Sequence, residues 1–312
     1  MLESDDIVTS KPNIRDLSLE EMEDLIVGLG KEKFRARQIM KWLYSGQATA
    51  FAEMTSLARD FRLRLDDLAR IAEPQIDRIQ TSQDGTRKLL FRLEDGLFIE
   101  SVLIPGRNHW TACISTQAGC AMGCRFCMTG RQGLKRNLRP SEITGQITML
   151  RRHTPEGPAV KNIVLMGMGE PLANYENTVK AIRILTSDFG LGFSGRKITV
   201  STCGLAPKIT QLGKEICVNL AISLNAPDDK RRDELMPVNR TYPIQELLRA
   251  CRDYPMPGRR MLTFEYILMA GLNDAPADAK KLARLLGGLR CKLNLIAFNE
   301  FPGSDYRMPT AE

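Results

Sequence analysis

Histidine is almost absent from this chain: among 312 residues only His109 and His153 occur, and tryptophan is equally scarce. Neither histidine stands at ligand spacing from the cysteines, so the four-ligand Cys/His pattern of structural zinc is missing. No run of 18 or more apolar residues is present, which excludes an ordinary membrane-spanning helix. The opening Met-Leu-Glu-Ser-Asp-Asp is acidic and does not read as a secretory or targeting segment. Without such a leader, eight irregularly placed cysteines in so long a chain do not read as a disulfide framework. A cytoplasmic, reducing setting is expected, with the thiols unpaired and no membrane partner.

Hydrophobic residues make up 43% of the chain, enough for one large domain and a smaller one. The formal charge of +7 suits a polyanionic partner, because fixed cations release counterions when they meet phosphates. The cations also cluster. Arg131, Lys135, Arg136 and Arg139 lie within nine residues of one another, and they are read as RNA contacts. Lys31, Lys33, Arg35, Arg37 and Lys41 form a second group, which fits a solvated helix face as well as it fits RNA.

The most specific feature follows Gly119: Cys120, Cys124 and Cys127 form a C-x3-C-x2-C triplet. A 4Fe-4S cube normally takes four cysteines, so three from one short loop leave one iron for another ligand. S-adenosylmethionine (SAM) suits that position through its amino and carboxylate groups. Its sulfonium then stands where one electron from the cluster can break a C–S bond and yield a 5'-deoxyadenosyl radical. The cofactors carry that chemistry, and the protein orients and shields them.

Residues 1 to about 12 read as disordered, and Ser18-Leu-Glu-Glu21 is a capping box that opens a helix ending near Gly28 to Gly30. Helical stripes at Phe34, Ile39, Trp42 and Leu43 and at Leu57, Phe61, Leu65 and Leu68 read as core. From Ile76 the period changes to that of strands, at Ile76–Thr81, Lys88–Leu93 and Leu97–Ile104. Beyond residue 110, strands are expected near 111–116, 161–166, 196–201, 216–222, 262–267 and 291–298. Helices are expected between them near 141–153, 175–187, 205–213, 243–253 and 276–287. The fold class expected is therefore α/β: a helical accessory unit at 1–75 that binds RNA, an antiparallel β linker at 76–110, and a partial (βα)6 barrel at 111–312. Unusual residue groups follow five of the six barrel strands, which gathers polar groups on one rim. The glycines of Gly167-Met-Gly-Glu-Pro171 are expected to let the backbone approach a ligand, with Glu170 holding an amino group.

Together these motifs resemble the RlmN/Cfr family of radical-SAM RNA methyltransferases over roughly residues 14 to 310. The likeness rests on Cys113-Ile-Ser-Thr-Gln-Ala-Gly-Cys120, the triplet, and Gly130-Arg-Gln-Gly-Leu-Lys-Arg-Asn-Leu138. Gly167-Met-Gly-Glu-Pro-Leu172, Ser223-Leu-Asn-Ala-Pro227 and Phe301-Pro-Gly-Ser304 complete it. The resemblance implies methylation of C2 of an adenine in 23S rRNA and of an adenine beside the tRNA anticodon. It implies a 4Fe-4S cluster and SAM as cofactors, a reducing donor such as flavodoxin, and a monomer.

In the family's scheme one SAM methylates a carrier cysteine and a second supplies the radical that activates the S-methyl group for addition to C2. A second cysteine then releases the product as a transient disulfide forms. Matched to this sequence, Cys113 is the releasing cysteine and Glu100 the proton acceptor. Gly169 and Glu170 match the site of the SAM amino group, and Ser201, Ser223, Leu224, Asn225 and Asn299 match the positions that hold its ribose, adenine and carboxylate. Phe126 matches an aromatic that covers the cofactor.

Two departures stand out. Asn225 takes the place of a family histidine, keeping hydrogen-bonding capacity without a titratable ring. The carrier cysteine belongs to a tail beyond the Phe301-Pro-Gly-Ser304 motif, and no residue up to Glu312 matches it. Cys203, Cys217, Cys251 and Cys291 are expected to be packing residues. The expectation is that the polypeptide as printed binds both cofactors and cleaves SAM without turning over RNA methylation. Another radical-SAM RNA reaction, or a non-catalytic iron–sulfur RNA-binding protein, is the alternative, and formation of 5'-deoxyadenosine separates the latter from an enzyme.

Overall fold

A computed structural model describes residues 11–310, so the expected disorder of residues 1 to about 12 falls almost wholly outside the described residues. Three helices come first: α1 (Leu19–Gly28), α2 (Phe34–Tyr44) and α3 (Arg59–Leu68). The capping box is present, with the Ser18 hydroxyl accepting from Glu21 N–H at 3.2 Å and Glu21 Oε2 accepting from Ser18 N–H at 2.8 Å. Ile39, Leu43, Leu57, Phe61 and Leu65 are buried as their spacing predicts, but Phe34 and Leu68 are exposed. Phe34 instead lies beneath the Arg35 guanidinium, 4.5 Å away.

These helices are tied to the rest by a buried cation. The Arg15 guanidinium is fully buried, donates to Leu43 O at 2.7 Å and pairs with Glu73 at 3.0 Å, and Glu73 also meets Arg152 at 2.6 Å.

The sheet has nine strands in one continuous ladder. Strands β1 (Gln75–Thr81), β2 (Arg87–Arg92) and β3 (Phe98–Pro105) form an antiparallel meander, and β3 pairs antiparallel with β4 (Trp110–Cys113). The ribbon expected as a separate linker is thus hydrogen-bonded edge to edge with the barrel strands. The small sheet of β5 (Gln117–Gly119) and β6 (Leu134–Asn137) flanks the short helix α4 (Met128–Arg131), and none of the three is evident in the spacing.

Helix α5 (Pro140–Arg152) leads to β7 (Val160–Leu165), α6 (Tyr175–Thr186), β8 (Ile198–Thr202), α7 (Ala206–Glu215) and β9 (Asn219–Ser223). Next come α8 (Asp229–Leu235), α9 (Ile244–Asp253), β10 (Leu262–Leu268), α10 (Pro276–Leu286) and β11 (Cys291–Ala297). From β4 to β11 these strands are parallel, six in all, as the βα alternation predicts. Two strands start later than expected, at Ile198 rather than 196 and at Asn219 rather than 216, and α8 was not anticipated.

One polar cluster locks the junction of meander and barrel. Gln146, fully buried on α5, accepts from the Ser101 hydroxyl at 2.6 Å and from Ser115 N–H at 2.8 Å, and donates to Ser115 O at 2.9 Å. The Ser115 hydroxyl donates to Glu100 O at 2.6 Å and accepts from Met168 N–H at 2.8 Å. Replacing Gln146 by Leu keeps the volume but strands the Ser101 hydroxyl and both Ser115 peptide groups, which is expected to cost on the order of 3 kcal/mol. Denaturant unfolding of the Gln146→Leu variant checks this, and a midpoint equal to the parent's would contradict it.

Candidate active site

Strand register decides which side chains meet. Along β3, Ile99, Ser101 and Leu103 are buried while Glu100 and Val102 face the opposite, open side. Val102 pairs with Cys113, Cys113 with Val164, Val164 with Thr199, Ser201 with Ala221, and Ser223 with Glu265. Because side chains alternate along each strand, Glu100, Cys113, Ser201, Ser223 and Glu265 all project from one face of the sheet. On that face, at the carboxyl ends of the parallel strands, lies a cavity of about 240 Å³.

The cavity is lined by Cys120, Cys124, Cys127, Gly169, Glu170, Ser201, Ser223 and Asn225, so eight expected residues are brought together. Phe126 lines it too, together with Met122, Cys203, Met236, Glu265 and Ile267, among which only Cys203 had been singled out, and for packing. Leu224 and Asn299 are not part of the lining: Leu224 is buried in the core, and Asn299 is exposed beyond β11. The cysteine loop rests on an apolar bed formed by Leu235, Met236, Val238 and Phe298, against which Met122, Cys124 and Phe126 pack. Arg125 N–H donates to Leu235 O at 3.0 Å, which joins loop to bed.

The glycines of the 167–170 turn line the cavity and also allow close packing within the chain. A Cβ on Gly169, where φ is +104°, would stand 2.6 Å from Gln117 Cβ. The turn is pressed against its own chain: Glu170 N–H donates to Gln117 Oε1 at 2.8 Å, and Thr116 N–H to Met168 O at 2.9 Å. Glycine is needed here for close packing that aims Glu170 inward. Both oxygens of the buried Glu170 carboxylate are engaged, Oε1 by Leu172 N–H at 3.0 Å and Oε2 by Cys203 N–H at 2.7 Å. Burial raises its pKa, opposed by those backbone donors.

Asn225 also has a conformational reason. Its φ is 58°, in the left-handed region where Asn and His are the commonest residues after glycine. The exchange of histidine for asparagine therefore preserves the backbone. Its side chain is committed to structure, accepting from Ile267 N–H at 2.9 Å and approaching Met236 Sδ at 3.4 Å.

The donor set fits an iron–sulfur cluster. Burial pushes the Cys124 thiol up to about 12, reinforced by the neighbouring Cys127 and Cys120 and by Glu170. Three thiolates and a carboxylate sharing a buried cavity repel one another and call for a multiply charged cationic centre there. Among the described residues no three such side chains converge on a single metal ion. In a cube each sulfur holds a different iron, so the three thiols need not converge on one point.

Cys113 lies at the edge of the cavity, its thiol close to the backbone of Met166, a lining residue, and burial raises its pKa to about 11. Glu100 is 43% exposed and stands at the mouth of this face, paired with Lys88 Nζ at 3.0 Å. Two of the four expected RNA contacts are already engaged. Arg136 is forked onto Glu142 at 2.8 Å and held by Asp95 at 2.5 Å, which raises its pKa. Arg131 donates to Gly303 O at 2.5 Å and stacks 5.1 Å from the centre of the Phe301 ring. Lys135 and Arg139 are exposed.

A family model described as the Radical SAM superfamily matches residues 114–285, and another, the ribosomal RNA large subunit methyltransferase N-terminal domain, matches residues 12–71. The dual-specificity RNA methyltransferase RlmN of Syntrophus aciditrophicus is 68% identical over 300 residues, covering 96% of this chain and 86% of that protein. Its namesake from Geobacter sulfurreducens is 52% identical, covering 96% and 82%. A crystal structure of a radical SAM methyltransferase from Sphaerobacter thermophilus superposes with a TM-score of 0.89 at 44% identity, covering 96% of this chain and 89% of that one. The cysteine-lined cavity at the strand ends and these likenesses agree: the chain belongs to the radical SAM superfamily and, within it, to the RlmN family of dual-specificity RNA methyltransferases.

Proposed function

We propose that this enzyme methylates C2 of adenine in 23S rRNA and in tRNA next to the anticodon, using a 4Fe-4S cluster and SAM. The observation that carries the reading is the shared face of Glu100, Cys113 and the cysteine-lined cavity. C2 lies between two ring nitrogens and is too electron-poor to attack a methyl group as a nucleophile, so ordinary methyl transfer is closed to it. When bound, the cluster and SAM supply one-electron cleavage of a C–S bond.

The residues divide the remaining work. Cys120, Cys124 and Cys127 hold three irons. Glu170 keeps unused lone pairs after accepting two backbone donors, and with the Gly169 peptide it receives the SAM amino group. Ser201, Ser223 and Asn225 line the space for the ribose, adenine and carboxylate. Apolar walls of Met122, Phe126 and Met236 exclude water from a reactive centre.

Cys113 is the releasing thiol and Glu100 the base that takes the C2 proton. They sit diagonally across β3 and β4, about 7–8 Å apart on one face, since Glu100 is two residues from the strand partner of Cys113. A flipped-out base fits between them. Residues 1–75 act as an RNA-binding accessory unit, 76–110 as the β connection that carries Glu100, and 111–312 as the barrel, with Lys135 and Arg139 offering exposed charge to phosphates. Among the described residues no helix is long and apolar enough to cross a membrane. The enzyme works in the cytoplasm as a monomer, reduced by a donor such as flavodoxin.

Mass spectrometry of RNA from cells lacking the gene tests the reaction. Loss of 2-methyladenine from both 23S rRNA and tRNA is expected, and its persistence in both would refute the reading. In cells whose own gene carries Glu100→Gln, 2-methyladenine is expected to form about a hundredfold or more slowly, the usual contribution of a general base, while SAM cleavage by the purified, cluster-loaded variant stays intact. Cys113 has a pH signature. Its pKa of about 11 means that the thiolate fraction grows about tenfold per pH unit below that value. Alkylation of Cys113 by iodoacetamide in the metal-free protein, followed by peptide mass spectrometry, should climb accordingly between about pH 8 and 10. A rate that is flat over that range would show that burial does not hold the thiol protonated.

A further inference from the structure

Among the described residues two arginines are fully buried, and they differ in one respect. Arg15 is met by the carboxylate of Glu73 at 3.0 Å. Arg232, on α8, has no carboxylate at ion-pair distance among the described residues. Its guanidinium is satisfied by neutral oxygens: Nη2 donates to Cys203 O at 2.5 Å and Ser223 O at 3.1 Å, Nε to Leu224 O at 3.2 Å, and Nη1 to Asn239 Oδ1 at 2.8 Å. The nearest acids stand one amide away, where Asn239 Nδ2 donates to Asp229 at 2.9 Å and Asp233 at 2.7 Å. A buried cation without an acid is costly unless opposite charge is close at hand.

That opposite charge belongs to the filled cavity. Cys203 and Ser223, whose carbonyls Arg232 holds, both line it, as does Cys124. The Cys203 backbone runs between two opposite charges, its N–H donating to Glu170 and its carbonyl accepting from Arg232. Three thiolates around a 4Fe-4S core make that group anionic, and more so when reduced.

We propose that Arg232 is a positioning residue and the fixed counter-charge of the cofactor site, anchoring the carboxyl ends of β8 and β9 and favouring the reduced cluster. Among the described residues the lining supplies no cation, because the cavity walls carry thiols, carboxylates, hydroxyls, an amide and apolar groups. The charge must therefore act from beneath the floor, through the carbonyls it holds. This rests on the reading of the cavity as a cluster site.

Potentiometric titration of the anaerobically reconstituted enzyme, followed by electron paramagnetic resonance, tests it in Arg232→Gln and Arg232→Lys. Gln keeps hydrogen bonding without charge; Lys keeps the charge with fewer donors. Loss of the positive charge disfavours the reduced state, so the Gln variant should show a midpoint potential lowered by about a tenfold change in the reduction equilibrium, or 59 mV for one electron. The Lys variant should remain near the parent. A loaded Gln variant at the parent potential would overturn the inference. Should Gln fail to retain its cluster, Lys decides: the parent potential supports a role for charge, and a fall as large as that expected of Gln overturns it. A parent that takes up no iron and sulfide would instead defeat the underlying assignment of the cavity.

Discussion

The hydroxyl of Ser115 joins three pieces of chain on which the site is assembled. It donates to the carbonyl of Glu100 and accepts from the N–H of Met168, while its own peptide is paired on both sides with the Gln146 amide. Glu100, Cys113 and the turn that carries Glu170 are thereby held in one register, although they come from an antiparallel strand, a parallel strand and a loop. A buried polar cluster that is fully satisfied specifies geometry more sharply than apolar packing, because any shift leaves a donor or acceptor without a partner. Glu100 and the cavity are thus placed by a group that is not part of the cavity lining.

Electrostatics impose a second demand on the same small volume. The cavity gathers Cys120, Cys124 and Cys127 around the buried Glu170, and burial opposes the ionisation of Cys120, Cys124 and Glu170. Backbone donors from Leu172 and Cys203 answer Glu170, and the floor is held by Arg232. Iron is the cationic partner that answers the thiols. The apolar bed of Leu235, Met236, Val238 and Phe298 keeps the dielectric low beneath the loop, so each of these interactions acts with little screening.

Much of the barrel was legible because its signal is periodic. The alternation of strand and helix located all six parallel strands within a few residues, and the capping box at Ser18 opened α1 as read. The ribbon was legible as strands but not in its pairing with β4, because hydrogen bonding between strand edges leaves no mark on spacing. Helix α8 was missed since its Asp-Lys-Arg-Arg-Asp-Glu-Leu run is almost wholly charged and shows no apolar stripe. With it went Arg232 and Met236, which floor and wall the cavity. The glycines at 167 and 169 were recognised as special, and besides lining the cavity they pack against Ser115 and Gln117 of the same chain. Arg136 looked like a free cation until Glu142 and Asp95 claimed it.

What the sequence determined alone is local chemistry: three thiols spaced within one short loop, an acid after two glycines, and strands of the right length in the right order. Those depend on neighbours within a few residues, where spacing and composition carry the information. Only the tertiary structure decided that Glu100 and Cys113 share a face with the cavity, that Asn225 sits in a left-handed turn, and that a buried guanidinium lies under the cofactor floor. Each of these is set by strand register and by contacts between distant segments, and a one-residue change of register would send every side chain of a strand to the opposite face.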